Sequence, residues 1–158
     1  MKKAIITVLC ILAFACQGYA DTYSISVNQF VEHPSLDAVL KGFKDSLTAQ
    51  GVNATYSVHN AQANMATANQ IAAQIAGEKP DLVLAVATPS AQACAVATKK
   101  SPVLAVAPLL FTAITDPVGA GLVDDLQKPG KNITGVSDML PVDKHMAMIL
   151  RFFPNLKK

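Results

Sequence analysis

Hydrophobic and polar positions after residue 20 follow two periods, one typical of strands and one typical of helices. Apolar residues between Leu36 and Leu47 recur every three or four positions, as on a helix with one buried face. A second segment of this kind, from Met65 to Ala76, is expected to end at Gly77, with Pro80 shortly after. Alternating or wholly apolar runs, which are typical of strands, occupy three further segments: 23–31, 53–58 and 82–87. The pattern predicts strands and helices in regular alternation.

Three strand–helix units in succession predict a doubly wound α/β fold. Parallel strands joined by right-handed crossovers place their helices on both faces of one sheet. Beyond the third helix, predicted at 89–98, two apolar runs at 102–107 and 108–114 follow each other directly, and only one fits as the fourth strand. A further short strand is predicted at 132–138. Pro141 opens a last helix, which Pro154 ends and whose apolar face is formed by Val142, Met146, Leu150 and Phe153.

The boundary between the third strand and the third helix carries the sharpest prediction of a ligand site. Thr88 is a favourable N-cap residue, and Pro89 suits the first helical position. The amides of Ser90 and Ala91 are then expected to lack acceptors within the helix. Ligands of open parallel sheets bind beyond the carboxyl ends of the strands. These amides, together with the helix dipole, therefore predict a seat for a carboxylate or phosphate.

Polar residues in neighbouring loops extend this candidate site. His33 follows the first strand and is expected either to face the cleft or to cap the turn. Asp116 and Asp138 each follow a short apolar run, and each is a candidate anion for an ammonium group. The alternatives are that Asp116 only starts a turn and that Asp138 only caps a helix. His59 and His145 are expected on the solvated surface.

Residues 1–20 have the pattern of a secretory signal peptide. Lys2 and Lys3 precede an apolar stretch, and Gly18 to Ala20 form a small-x-small cleavage site. The apolar stretch is short for a membrane anchor. Lipoprotein attachment at Cys16 is the weaker alternative, because Ala13 stands where that motif requires a larger aliphatic residue. We therefore expect a periplasmic or other extracytoplasmic location.

Removal of this segment would change the charge and the cysteine content. It would take away two of the 13 basic residues and leave 11 against 11 acidic residues, so no basic surface for nucleic acid is expected. It would also leave Cys94 as the single cysteine, which excludes an internal disulfide. Because its neighbours are apolar, Cys94 is expected to be a buried small hydrophobe rather than a nucleophile.

Motifs of several enzyme classes are missing from the sequence. It has neither a Walker-type phosphate loop nor a G-x-G-x-x-G segment after the first strand. The three histidines lie far apart without metal-ligand spacing, so no metal or cofactor is expected. Hydrogen-bonding loops without an acid/base pair favour a binding protein over an enzyme. The alternative is a small secreted hydrolase or transferase that uses Ser90 or Asp116, although Ser90 lies outside any G-x-S-x-G elbow.

Several of these segments, in the same order, resemble the extracytoplasmic solute-binding proteins of ABC transporters, in the group linked to tryptophan and other aromatic amino acids. The resemblance runs over nearly all of Tyr23 to Lys158. The segments that carry it are Val27–Asp37, Asn60–Gln62, Lys79–Leu82, Ala87–Gln92, Thr115–Val123 and Asn132–Asp138.

The resemblance implies a type I periplasmic-binding-protein-like fold, whose two lobes close over an amino-acid-like solute and deliver it to an ABC permease in the inner membrane. Thr88, Ser90 and Ala91 would hold the carboxylate of the solute, while Asp116 and Asp138 would be candidates for its amino group. The remaining cleft would be lined by Gln29, His33, Thr115, Gly135 and Ser137.

The length of the chain departs from this family, whose members are usually about twice as long. We expect a signal peptide at 1–20, an N-terminal lobe at 21–131, and the crossing strand and first helix of an incomplete second lobe at 132–158. The doubled apolar segment at 102–110 would be a small insertion. A single lobe is expected to bind solute weakly or not at all. A third possibility is a remnant without ligand that dimerises through its unfinished lobe, which size-exclusion chromatography would detect.

Overall fold

The computed structural model describes residues 21–130 and 132–154, so the predicted signal peptide lies outside the described residues. Strands and helices alternate along most of this length. In chain order the elements are β1 (Thr22–Gln29), α1 (Pro34–Ala49), β2 (Asn53–Asn60), α2 (Met65–Glu78), β3 (Leu82–Val86), α3 (Thr88–Thr98), α4 (Pro102–Val106), β4 (Leu109–Ile114), β5 (Ile133–Ser137) and α5 (Val142–Phe152).

The five strands form one parallel sheet in the order β2-β1-β3-β4-β5. Val27 of β1 pairs with Val58 of β2 on one side and with Leu84 of β3 on the other. Because all strands run the same way, their carboxyl ends meet at one edge of the sheet. The α/β fold class with a doubly wound parallel sheet is confirmed.

Helices cover both faces of the sheet, and alternate residues of each strand separate the two faces. On one face, Ile25 and Val27 of β1 pack with Leu40 of α1. On the other face, Ile75 of α2 and Ala91 of α3 belong to a second buried cluster. This arrangement agrees with the apolar periodicity of α1 and α2. It also packs α3 against the sheet.

The doubled apolar segment resolves into a helix followed by a strand. Its first half is the short helix α4, where the Ser101 side chain accepts a hydrogen bond from the Leu104 amide at 3.4 Å. Its second half is β4, so only one of the two runs is a strand, as predicted. The side-chain amide of Asn132 donates to the carbonyl oxygens of Leu104 (2.9 Å) and Ala107 (2.7 Å), which ties the start of β5 to the end of α4.

Two details of the sequence prediction were wrong on this framework. Gly77 does not end α2; the left-handed residue that follows the helix is Lys79, with φ 51°. His59 is not a freely solvated histidine, because its Nε2 lies 2.8 Å from a carboxylate oxygen of Glu78 and its side chain is mostly buried. The Ser26 hydroxyl donates to the other oxygen of Glu78. The cluster of Ser26, His59 and Glu78 thus joins β1, β2 and the end of α2.

The last helix has the predicted apolar face, but that face is exposed. No residue of α5 is buried, and Met146, Leu150 and Phe153 are all about half exposed or more. Among the described residues, no helix is both long and apolar enough to cross a membrane.

Cys94 is buried in α3, as predicted, and its chemistry follows from that burial. Loss of solvation raises the pKa of the Cys94 thiol to about 11, while a hydrogen bond from Asn28 acts weakly in the opposite direction. Only the thiolate reacts with alkylating reagents. We expect iodoacetamide at pH 8 to modify Cys94 about a hundredfold more slowly in the native protein than in urea, as two pKa units imply. Equal rates, measured by mass spectrometry, would contradict the buried position.

Candidate functional site

The loops at the carboxyl edge of the sheet are held together by hydrogen bonds between backbone groups. The amide of Phe30, after β1, donates to the Val86 carbonyl at 3.2 Å, and the amide of Ala87 donates to the Thr112 carbonyl at 3.0 Å. The amide of Asp138, after β5, donates to Ile114 at 3.0 Å. The ends of β1, β3, β4 and β5 therefore form one continuous rim, on which the predicted site residues lie.

Helix α3 begins one residue earlier than predicted. Its N-cap is Ala87, with φ 79° and ψ 154°, so Thr88 is the first helical residue rather than the cap. Proline is tolerated throughout the first helical turn because amides there need no intrahelical acceptor, so Pro89 fits the second position as well as the first. The chain turns sharply from strand to helix at Ala87, a conformation that few residues other than glycine adopt.

Because the helix begins one residue earlier, a different set of amides is left without acceptors. The amide of Ala91 donates to the Ala87 carbonyl at 3.1 Å, so the prediction that it is unpaired was wrong. Pro89 has no amide hydrogen. Within the described residues, the amides of Thr88 and Ser90 have no acceptor. These two donors lie at the positive end of the α3 dipole, where an anion is favoured; Thr88 is partly exposed, whereas Ser90 is fully buried.

The Ser90 side chain does not reach this seat. Ser90 is fully buried, and its hydroxyl donates to the side-chain oxygen of Asn28 at 3.0 Å. The hydroxyl is therefore held by an amide rather than by a base that could activate it. This geometry disfavours the hydrolase alternative and limits any role of Ser90 toward a ligand to its backbone amide.

Gln29 and His33 hold the loop between β1 and α1. The His33 Nδ1 accepts a hydrogen bond from the Ser35 amide at 3.2 Å and caps α1, which is the turn-capping alternative. The side-chain amide of Gln29 donates to Asp37 at 2.6 Å and to the Val31 carbonyl at 3.0 Å. Both side chains thus have local structural partners, and contact of either with a ligand stays a prediction.

The two candidate carboxylates lie at the ends of β4 and β5, and both are exposed. Asp116 accepts a hydrogen bond from the Gly119 amide at 2.8 Å, so it does start the turn that follows β4. Asp138 does not cap α5, because the N-cap of that helix is Pro141. The alternative that explained Asp138 as a helix cap was therefore wrong.

Thr115, Ser137 and Gly135 join β4 to β5. The Ser137 hydroxyl donates to the Thr115 carbonyl at 2.9 Å and accepts from the Met139 amide at 3.1 Å. Gly135 lies opposite Phe111, and a Cβ added to Gly135 would lie 2.1 Å from the Phe111 carbonyl oxygen. The absence of a side chain at Gly135 is therefore required by the close approach of β4.

Sequence reasoning missed two features of this edge. Ala87 and Ala113 both have positive φ, 79° and 55°, although neither is a glycine that would have signalled it. Asn28 was treated as part of the first strand, yet its side chain contacts the first turn of α3. Its polarity in a strand interior was the available signal. The strained backbone at Ala87 is typical of positions next to functional sites.

The described residues thus form a parallel α/β lobe with two acceptor-free amides at its carboxyl edge, an arrangement that suits ligand binding. Comparison with known proteins identifies the family. Residues 24–158 match the family model described as ABC transporter substrate binding protein. The chain belongs to this family, and the predicted resemblance is confirmed.

Three relatives illustrate the match. A tyrosine-binding protein of Clostridioides difficile (strain R20291) is 43% identical over 139 residues, which are 85% of this chain and 39% of the relative. The crystal structure of a conserved domain protein from Vibrio cholerae is 45% identical, with a TM-score of 0.77 over 87% of this chain and 46% of that one. A Streptococcus pneumoniae ABC domain in complex with L-Trp is 38% identical, with a TM-score of 0.76 over 87% of this chain and 45% of that one.

The chain thus spans less than half the length of each of these relatives. The structural matches confirm the fold as one lobe of the type I periplasmic-binding-protein class. Of these relatives, one is named for binding tyrosine and one was solved with bound L-Trp.

Proposed function

We propose that this chain is the solute-binding component of an ABC importer and that its solute is an aromatic amino acid. The observation that carries the proposal is the pair of amides, of Thr88 and Ser90, without acceptors at the start of α3. Such a pair suits the carboxylate of an amino acid. The tyrosine and the L-Trp named for two relatives support the aromatic class.

The ammonium group of the solute is assigned to Asp138, with Asp116 as a second anion. Asp138 is exposed at the end of β5, and its carboxylate makes no hydrogen bond within the described residues. Asp116 already binds the Gly119 amide through one oxygen, which leaves the other for a ligand. Asp138 is therefore the stronger candidate for a charge-assisted contact.

Other parts of the proposal follow from family membership. The protein acts outside the cytoplasm and presents its solute to a membrane permease of the transporter. Residues 21–131 supply one lobe, and residues 132–158 lead into a second. Because the described edge of the sheet supplies one wall of a cleft, we expect this chain alone to bind its solute weakly, in the millimolar range.

Weak binding of this kind is measurable by NMR titration of the labelled chain. We expect L-tryptophan or L-tyrosine to shift the amide signals of Thr88 and Ser90. Tryptamine, which lacks the carboxylate, should bind at least about tenfold more weakly, because it forms no charged hydrogen bonds with these amides. Equal affinity for tryptamine, or shifts confined to other regions, would contradict the assignment.

A further inference from the structure

Asn28 is a polar residue in the interior of the lobe. It lies on β1 with no exposed surface, on the face of the sheet that α2 and α3 cover. Its side-chain oxygen accepts from the Ser90 hydroxyl at 3.0 Å. Its side-chain NH₂ donates to the Ala68 carbonyl at 3.1 Å and contacts the Cys94 sulfur at 3.5 Å. One buried amide thereby joins β1 to both α2 and α3.

The first turn of α3 lacks the support that helices usually have. Its N-cap, Ala87, makes no side-chain cap hydrogen bond, and its second residue is a proline without an amide. A helix without a cap side chain is destabilised at its first turn. The bond between Asn28 and Ser90 fixes this turn from the side of the sheet instead.

We propose that Asn28 is a positioning residue for the ligand site, acting through Ser90. This inference rests on the proposed function, because the amide of Ser90 is one of the two donors assigned to the carboxylate. The hydroxyl and the amide belong to the same residue, so holding the side chain in place also restrains the amide. Pre-organised donors bind an anion without reordering the turn, which strengthens binding.

A double-mutant cycle tests this role. We expect Asn28→Ala and Ser90→Ala each to weaken L-tryptophan binding about tenfold by NMR titration, and the double variant to bind no more weakly than either single one. The matched control is Ser26→Ala, which removes another hydroxyl of β1 from the same face of the sheet but one bonded to Glu78. This control should keep the affinity within about twofold.

A measurement without ligand separates this proposal from the proposed function. The amide of Ala91 closes the first hydrogen bond of α3, to Ala87. We expect its hydrogen exchange to speed up at least about tenfold in Asn28→Ala and Ser90→Ala, and to stay unchanged in Ser26→Ala.

The outcomes are distinct. If L-tryptophan does not bind the unsubstituted chain, the proposed function fails, and the exchange of Ala91 still decides the role of Asn28. Unchanged exchange, or effects of the two substitutions that add independently, would overturn the positioning role. Should Asn28→Ala fail to fold, Ser90→Ala alone gives the answer, since it removes only the hydroxyl.

Discussion

Replacing Thr88 by aspartate is expected to weaken binding of L-tryptophan about tenfold without weakening the fold. Thr88 is the first residue of α3, and its amide is one of the two free donors. A carboxylate at this position would occupy the positive end of the helix and repel the carboxylate of the solute. The same negative charge in the first turn should raise the free energy of unfolding by about 0.5 kcal/mol.

The matched control is Thr88→Asn, which has nearly the same shape as the aspartate but no charge. It should bind L-tryptophan within about twofold of the unsubstituted chain, because its backbone amide is retained. NMR titration gives the affinities, and urea denaturation gives the stabilities. A Thr88→Asp variant that binds L-tryptophan as well as Thr88→Asn does would place the carboxylate elsewhere.

Replacing Gly135 by alanine is expected to lower the free energy of unfolding by about 1 to 3 kcal/mol. A Cβ at this position would lie 2.1 Å from the Phe111 carbonyl oxygen and 2.5 Å from the Phe111 ring. The carbonyl is backbone and cannot rotate away, so β5 would have to separate from β4. Because β5 leads to Ser137 and Asp138, the same change should also disturb the edge assigned to the solute.

Gly42 provides the control for this substitution. It lies inside α1, and a Cβ added there meets nothing within 4 Å. Gly42→Ala should therefore raise the free energy of unfolding by about 0.5 to 1 kcal/mol, because alanine loses less backbone entropy in a helix than glycine does. Urea denaturation of both variants measures the two changes in the free energy of unfolding. A Gly135→Ala protein as stable as Gly42→Ala would contradict the expected clash with Phe111.

Most of the fold could be predicted because periodicity reports which face of an element is buried. The spacing from Leu36 to Leu47 predicted α1, and Leu40 is indeed buried against β1. The run at 102–106 was ambiguous, because a short apolar stretch fits a strand or a buried helix equally well. A local signal was present but not used, because Ser101 is an N-cap residue and Pro102 suits the first helical position. The bonds from Asn132 to Leu104 and Ala107 come from distant sequence and could not be predicted.

The candidate site could be predicted in outline but not in detail. The sequence predicted a ligand seat at the start of α3, since a buried run followed by Thr88 and Pro89 marks a strand that passes into a helix; the strand-to-helix passage is confirmed, and the seat stays a prediction. It could not show that the helix starts one residue earlier, because that depends on the amide of Ala87 bonding to Thr112 in the next strand. Nor could it show that Ser90 turns its hydroxyl inward to Asn28.

The sequence by itself determined the first three strand–helix units, the parallel α/β class and the family, because each follows from residue types and their spacing along the chain. The tertiary structure alone decided which groups are free to bind. It paired the Ala91 amide, buried the Ser90 hydroxyl and left the amide of Thr88 without an acceptor. The reason is that hydrogen bonds between residues far apart in sequence, such as Asn28 and Ser90, depend on how the strands and helices pack together.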